Sequence, residues 1–328
     1  MGSYLSTAPK AYSELPGRVV IVTGANRGIG FTVAKKFYEL NATVYLGCRR
    51  EEDAIKAIQE IRAQVPNSTG QIKWLWVDLS TIQKSRESAE GFMKVEKSLD
   101  ILVNNAAISD KKFATNEDRI EIMMAVNYFG PFVFTMTLLD LMKQTSTKSG
   151  SDVRIVNVSS DVHEMWGNPT VTFTDPAEFS TPFPAENCDS WVNRIARYGR
   201  SKLGVVMFTS ELQQRLGAEG SHIIAISLDP GTFATGTSLD VVAGMPIVGP
   251  VATVIAKLVY PPGSEGAGNI MFAAVDPAVR AEPDKYKGKF LMPIGLVTAP
   301  SKYAQDVELL KRLWDLTEKV VQSKTSSG

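Results

Sequence analysis

The chain has 328 residues, 44% of them hydrophobic and 21% charged, with a formal net charge of zero. That balance is globular and excludes bulk electrostatics as a way of holding nucleic acid or an anionic membrane. Two cysteines, Cys48 and Cys188, and two histidines form neither a disulfide framework nor a metal-ligand cluster, which points to a reducing, cytoplasmic setting.

Residues 1–17 read as an N-terminal extension without the apolar run of a secretory signal. From Arg18 onward two kinds of segment alternate. RVVIVTG (18–24), ATVYLGC (42–48), IKWLWVD (72–78), DILVNNA (100–106), VRIVNVSS (153–160) and HIIAISLD (222–229) are short, β-branched-rich apolar runs that suit strands covered on both faces. Helical patterns lie between them; in GIGFTVAKKFYEL, Ile29, Val33, Phe37 and Leu40 recur at helical spacing. The alternation predicts a doubly wound parallel sheet in three α/β/α layers, as one domain over 18–328. Two regions interrupt the rhythm: an inserted loop, 161–195, and a substrate-lid region, 232–287, rich in Gly and Pro. The lid holds VVAGMPIVGPVATVIAKLVY, the nearest approach to a membrane span, broken by glycine, proline and Lys257 and short of the ~18 unbroken apolar residues a span needs. Residues 300–322 read as a closing amphipathic helix.

The first strand runs into TGANRGIG, with Gly24, Gly28 and Gly30, and a helix follows at once. A strand, a glycine turn and a helix N-terminus make an anion site, because backbone N–H groups and the helix dipole point at the ligand. The spacing is G-x-x-x-G-x-G. At the end of the second strand an acid would select NAD, and arginine the 2′-phosphate of NADP. Here Cys48 stands at that point and Arg49 follows, with Arg27 in the glycine turn as a second cation. Two guanidinium groups can clamp a phosphate, so the expected cofactor is NADP(H).

TGANRGIG (23–30), Asp78-Leu79, NNAA (104–107), Asn127, Ser159-Ser160, Tyr198-x-x-x-Lys202 and DPGT (229–232) stand in one order over roughly 18–232. With these motifs the chain resembles the short-chain dehydrogenase/reductase family, a Rossmann-fold family, and within it the retinol-dehydrogenase-like branch. The resemblance implies cofactor contacts from Gly24, Asn26, Arg27, Gly28, Ile29, Gly30 and Arg49, from Asp78 and Leu79 at the adenine, and from Asn105 and Ala106 at the adenosine ribose. Pro230, Gly231 and Thr232 would lie at the nicotinamide, and Tyr198 and Lys202 would share its ribose. It also implies Asn127, Ser160, Tyr198 and Lys202 as the catalytic set, with Ser159 as the alternative serine and Asn127 holding a water that links Lys202 to bulk. Ala107 stands where the family usually has glycine.

Tyr198 and Lys202, four apart, share one helix face. A tyrosine that protonates a carbonyl oxygen needs its pKa lowered from about 10, and a lysine one turn away can supply the field. Arg194, Arg197 and Arg200 recur every third residue on another face and read as a solvated or interfacial stripe. His163 reads as an ordinary loop histidine. Met165, Trp166, Phe173, Phe179, Phe183 and Trp191, with Val241, Val242, Met245, Ile247 and Val248, could wall an apolar pocket or pack the loop as a satellite core. The expected function is NADP(H)-dependent reduction of a bulky lipophilic ketone or aldehyde (terpenoid, steroid, retinoid or polyketide-like). The alternatives are a non-catalytic dinucleotide sensor and an epimerase or dehydratase. Many family members dimerise through the helices carrying Asn127 and Tyr198, so a homodimer is one expectation; the long C-terminal segment covering that surface is the other.

Overall fold

Each apolar run becomes a strand: β1 (Val19–Thr23), β2 (Thr43–Cys48), β3 (Gln71–Trp76), β4 (Ile101–Asn104), β5 (Arg154–Val158) and β6 (Ile224–Leu228). The computed structural model describes residues 12–109, 111–165, 171–182, 186–231 and 266–325. The sheet order is β3-β2-β1-β4-β5-β6, continued by β7 (Phe290–Met292) and β8 (Leu296–Thr298). All neighbours pair in parallel except the antiparallel pair β7 and β8. β1, β4, β5 and β6 are buried along their whole length, as strands covered on both faces must be, whereas the edge strand β3 alternates exposed and buried residues.

The covering helices are α1 (Gly28–Glu39), α2 (Glu51–Gln64), α3 (Ile82–Val95), α4 (Ile122–Ser146), α5 (Trp191–Ala218), α6 (Gly266–Val275) and α7 (Val307–Thr325). One face of the sheet carries a core that includes Phe129, Phe132, Leu138, Phe208 and Trp314. The other carries Val33, Phe37, Ile58, Ile61, Ile270 and Met271. Parallel strands joined by such helices bring their carboxyl ends to one edge, where a doubly wound sheet binds its ligands.

Three expectations change. First, the lid region of 232–287 is helical over 266–286, and Ala267, Ile270, Met271 and Ala274 of α6 lie in the core against the sheet. Its small and apolar residues let it pack as a core layer; 232–265 lies outside the described residues. Second, the inserted loop is shorter, because Ser190 caps α5 by accepting from the Asn193 N–H and the helix starts at Trp191. Third, among the described residues the helix that is long and apolar enough to cross a membrane by length and composition is α4, at mean hydropathy 1.6, and 78% of that window is buried inside the fold as its central core helix.

Candidate active site

At the carboxyl ends of β1 and β4 the chain prepares a cradle. The Thr23 hydroxyl, fully buried, accepts the backbone N–H groups of Asn105 and Ala106, each at 3.0 Å, and the Asn105 amide donates back to the Thr23 carbonyl at 2.9 Å. Gly24 has φ +66°, and a Cβ there would stand 2.9 Å from the Ala106 Cα; one on Gly30 would meet the Gly24 carbonyl at 2.5 Å. Gly28, at φ +60°, opens on free space. α1 begins there with no side-chain cap from Arg27 and no acid in its first turn, so its N-terminal N–H groups and dipole stay available to an anion. Asn26 and Ile29 are half-buried in the same turn. A pyrophosphate fits this cradle.

Arg27 and Arg49 are both exposed, and among the described residues neither has an ion-pair partner. Cys48 is buried at the end of β2, its thiol bonded to the Arg50 carbonyl at 3.3 Å, and burial pushes its pKa up. Asp78 accepts the Ser80 N–H at 2.9 Å and lies 3.9 Å from Lys84, so part of its carboxylate serves the start of α3. Leu79 is buried against Gly130, where a Cβ would come within 2.6 Å.

The other end of the cleft is built around β5, β6 and α5. Ser159 is buried and donates to the Lys202 carbonyl at 2.8 Å, while Ser160 stays partly exposed with its hydroxyl on the Asp161 carboxylate at 3.2 Å. Lys202 is buried, donates to the Val158 carbonyl at 2.8 Å, and lies 5.6 Å from the centre of the Tyr198 ring. Burial lowers the Lys202 pKa from 10.5 to about 8, with the charge of Asp229 acting the other way. Tyr198 does not follow the sequence expectation. Its pKa is raised, first by burial and then by Asp229 and Asp161. The side chain is half-buried, and desolvation with two carboxylates outweighs the field of Lys202.

Asn127 sits in a π-helical stretch of α4, Ala125–Phe129, a distortion that frequently marks functional positions. Its side chain is fully engaged: it accepts the Ile108 N–H at 2.8 Å and donates to the Ile108 carbonyl and to Ser201 Oγ, each at 2.9 Å. Ser201 in turn donates to the Tyr198 carbonyl at 2.7 Å. Asn127 thus ties the chain beyond β4 to the turn of α5 that carries Tyr198. Pro230 and Gly231 follow β6 at the same edge, Gly231 with φ +96°. Thr232, Trp166, Phe183, Val241, Val242, Met245, Ile247 and Val248 lie outside the described residues, as does the Met165 side chain.

Two sequence readings are overturned here. Arg197 is 3% exposed, donating to the Lys111 carbonyl at 2.7 Å and to the Cys188 carbonyl, and lying 3.5 Å from buried Glu121. With Arg200 paired to Glu178 at 3.8 Å, the arginine stripe anchors the insertion instead of facing solvent. His163 is fully buried, with Nδ1 2.6 Å from the Ser160 carbonyl, Nε2 accepting the Ser301 N–H at 3.3 Å, and its ring on Phe290. Phe173 and Phe179 are buried and pack with Phe129, so they form a satellite core and not a pocket wall. Sequence reasoning missed Thr23, Ser201 and Asn157. Asn157 links Asn104, at 2.8 Å, to Thr209, at 2.9 Å, beneath the site. A polar residue inside an otherwise apolar strand was the available signal.

Fold and site together define a dinucleotide-binding α/β protein with a Ser-Tyr-Lys cluster at the strand ends. The model of the short chain dehydrogenase family matches residues 18–172. Short chain dehydrogenase/reductase dpchH of Colletotrichum higginsianum is 35% identical over 311 residues, covering 94% of this chain and 76% of the relative. Short-chain dehydrogenase/reductase pkfC of Emericella nidulans is 30% identical over 312 residues, covering 94% and 93%. The chain belongs to the short-chain dehydrogenase/reductase family, and with it to the oxidoreductases that use nicotinamide cofactors. Levodione reductase shares the fold at TM-score 0.64 and 17% identity, over 86% of this chain and 98% of that one.

Proposed function

We propose that the chain is an NADP(H)-dependent carbonyl reductase that takes a bulky lipophilic ketone or aldehyde. The observation that carries the reading is the grouping of Ser160, Tyr198 and Lys202 around buried Asp229, on the strand edge where the uncapped N-terminus of α1 also lies. A non-catalytic sensor would have no use for a buried lysine held 5.6 Å from the centre of the tyrosine ring. The choice of NADP(H) rests on Arg27 and Arg49, two exposed guanidinium groups flanking the glycine turn and the end of β2. The lipophilic class rests on the apolar residues of 241–248 and on half-buried Trp191 at the first turn of α5.

Bound NADPH would supply the hydride to the carbonyl carbon. The chain does the rest. Ser160 holds the carbonyl oxygen, and Tyr198, kept protonated by its raised pKa, gives its phenolic proton to that oxygen as charge develops on it. Lys202 then stands one turn away to balance the phenolate. Ser159 and Asn127 fix the backbone of α5 so that both side chains stay in register.

The test is a panel of lipophilic and small polar carbonyls with NADPH and NADH. Tyr198→Phe is expected to lower turnover ~10²-fold or more while NADPH binding, read by quenching of protein fluorescence, is unchanged. Arg49→Ala is expected to weaken NADPH and leave NADH alone. Full turnover in Tyr198→Phe, equal use of both cofactors by the wild type, or reaction of small polar carbonyls only would each overturn the corresponding part.

A further inference from the structure

The peptide that joins Ser160 to Asp161 is clamped at both of its polar atoms. Its N–H donates to Asp229 Oδ2 at 2.8 Å. Its carbonyl takes two donors from one residue, the His163 N–H at 3.3 Å and the His163 ring Nδ1 at 2.6 Å. On the other side of Ser160, the Ser159 N–H donates to the Leu228 carbonyl at 2.7 Å and the Ser159 hydroxyl to the Lys202 carbonyl at 2.8 Å. The Ser160 hydroxyl is held less tightly. It donates to Asp161 at 3.2 Å and accepts the Val162 N–H at 3.3 Å, both at the long end for such bonds. Its position is therefore set by the backbone that carries it, and it can turn to a carbonyl in the cleft without giving up a strong bond.

His163 sits in the helical turn Val162–Met165 and is fully buried, so it does not itself meet a substrate in the cleft. Its ring stands edge-on to Phe290 of β7, with ring centres 4.7 Å apart, and Nε2 accepts the Ser301 N–H at 3.3 Å beyond β8. A neutral imidazole is a donor at one nitrogen and an acceptor at the other. With Nε2 accepting, Nδ1 carries the proton and points it at the Ser160 carbonyl. Burial favours this neutral form, against the charges of Glu164 and Asp161 in its own turn.

We propose that His163 is a positioning residue for the reduction: by gripping the Ser160 carbonyl through Nδ1–H, it fixes the direction from which the Ser160 hydroxyl meets the substrate oxygen. The inference rests on the reading of Ser160 as the group that holds that oxygen. It also makes the β7–β8 end of the chain a support of the site, since Phe290 and Ser301 fix the ring and the ring fixes the serine. Misplacing a group that orients the substrate by ~1 Å costs ~10²-fold in rate, so the grip on one carbonyl is read in turnover and not only in stability.

The experiment compares His163→Leu, which fills the space and makes neither bond, with His163→Asn, whose amide nitrogen can stand where Nδ1 stood but is too short to reach Ser301. Reduction of 9,10-phenanthrenequinone with NADPH is measured for both, and for His163→Leu also in a Ser160→Ala background. His163→Leu is expected to lower kcat ~10- to 10²-fold with the KM for NADPH unchanged. His163→Asn is expected to recover most of that loss, although its urea midpoint stays below that of the wild type. In Ser160→Ala, itself slowed, His163→Leu is expected to cost no further turnover, because it acts only through the serine. Additive losses overturn the inference, since a side chain that merely stabilises the fold costs the same in either background. So does an Asn variant as slow as the Leu variant. If His163→Leu does not fold, the Asn variant decides: a kcat that falls together with its urea midpoint overturns the inference. A second readout needs no turnover. The chain has two histidines, and in nitrogen NMR of the histidine rings the signal lost in His163→Asn is expected to be a neutral imidazole protonated at Nδ1. Protonation at Nε2 instead overturns the inference. Full turnover in Ser160→Ala would overturn the proposed role of the serine and this inference with it, whereas additive losses overturn the inference alone, so the two failures are distinguishable.

Discussion

Lys202 shows how catalysis and stability conflict at one residue. Desolvation lowers its pKa from 10.5 to about 8, so at neutral pH the fold keeps an ammonium that the unfolded chain would solvate better. A difference of this size is worth about 3 kcal/mol. Lys202→Met keeps the length of the side chain, removes the charge and leaves the Val158 carbonyl without its partner, a loss of about 1 kcal/mol. The variant is therefore expected to be inactive yet more stable at pH 7, by about 2 kcal/mol in denaturant unfolding. The sign can be checked by pH. The folded wild type binds fewer protons than its unfolded chain between pH 8 and 10.5, so its own stability rises across that window and the advantage of Lys202→Met shrinks. A variant that is less stable at pH 7 would mean that Lys202 is held by more than its one carbonyl.

At the scale of elements, the insertion between β5 and α5 is fastened to the site at both ends. Arg197 and Arg200 hold it from α5, and His163 joins the Ser160 carbonyl to Ser301 ahead of α7. Because Nε2 accepts from Ser301, Nδ1 carries the proton and the ring is neutral. Burial lowers the His163 pKa below 6.5, so the folded state resists protonation and loses stability as pH falls below that value. His163→Gln, which can both donate and accept without titrating, is expected to flatten the difference between urea midpoints at pH 7 and pH 5. An identical pH dependence in the variant would assign the acid sensitivity elsewhere.

These same elements show what was legible in the sequence. β1, β4, β5 and β6 announced themselves because a strand buried on both faces must be largely apolar, β2 and β3 because their β-branched and aromatic residues suit a pleated surface, and the glycine turn because only glycine tolerates the φ of Gly24 and the approach of Gly30. β7 and β8 did not, being three residues each around a tight turn, too short for any periodicity. Helical spacing put Arg197 and Arg200 on one face, but whether that face meets water depends on where a distant insertion folds back. The raised pKa of Tyr198 was hidden for a similar reason: local spacing supplied Lys202, while the opposing carboxylates, Asp161 and Asp229, arrive from two other strand ends.

At the scale of the whole molecule, α7 closes the face opposite α1 and α2. Trp314 stacks on Phe208 with ring centres 5.8 Å apart, meets Phe132 at 5.1 Å, and lies under the Arg215 guanidinium at 4.4 Å. The Tyr128 hydroxyl, from the π-helical stretch that holds Asn127, meets Thr317 Oγ1 at 2.7 Å. α7 therefore occupies the outer surfaces of α4 and α5, and a dimer formed through those helices would need the area it already fills. The chain is expected to sediment as a monomer; a dimer at micromolar concentration would require another surface. Trp314→Ala removes a buried indole from between two aromatic rings and is expected to cost about 3–5 kcal/mol in denaturant unfolding, since a cavity of that size cannot collapse against the sheet. Arg215→Met, which keeps the apolar stem over the ring and loses the cation–π contact together with the half-exposed ion pairs to Glu211 at 2.8 Å and Asp315 at 3.5 Å, is expected to cost about 1 kcal/mol. If the two variants proved equally mild, α7 would be a peripheral cover, and the register of Asn127 and Tyr198 would be set by the sheet alone.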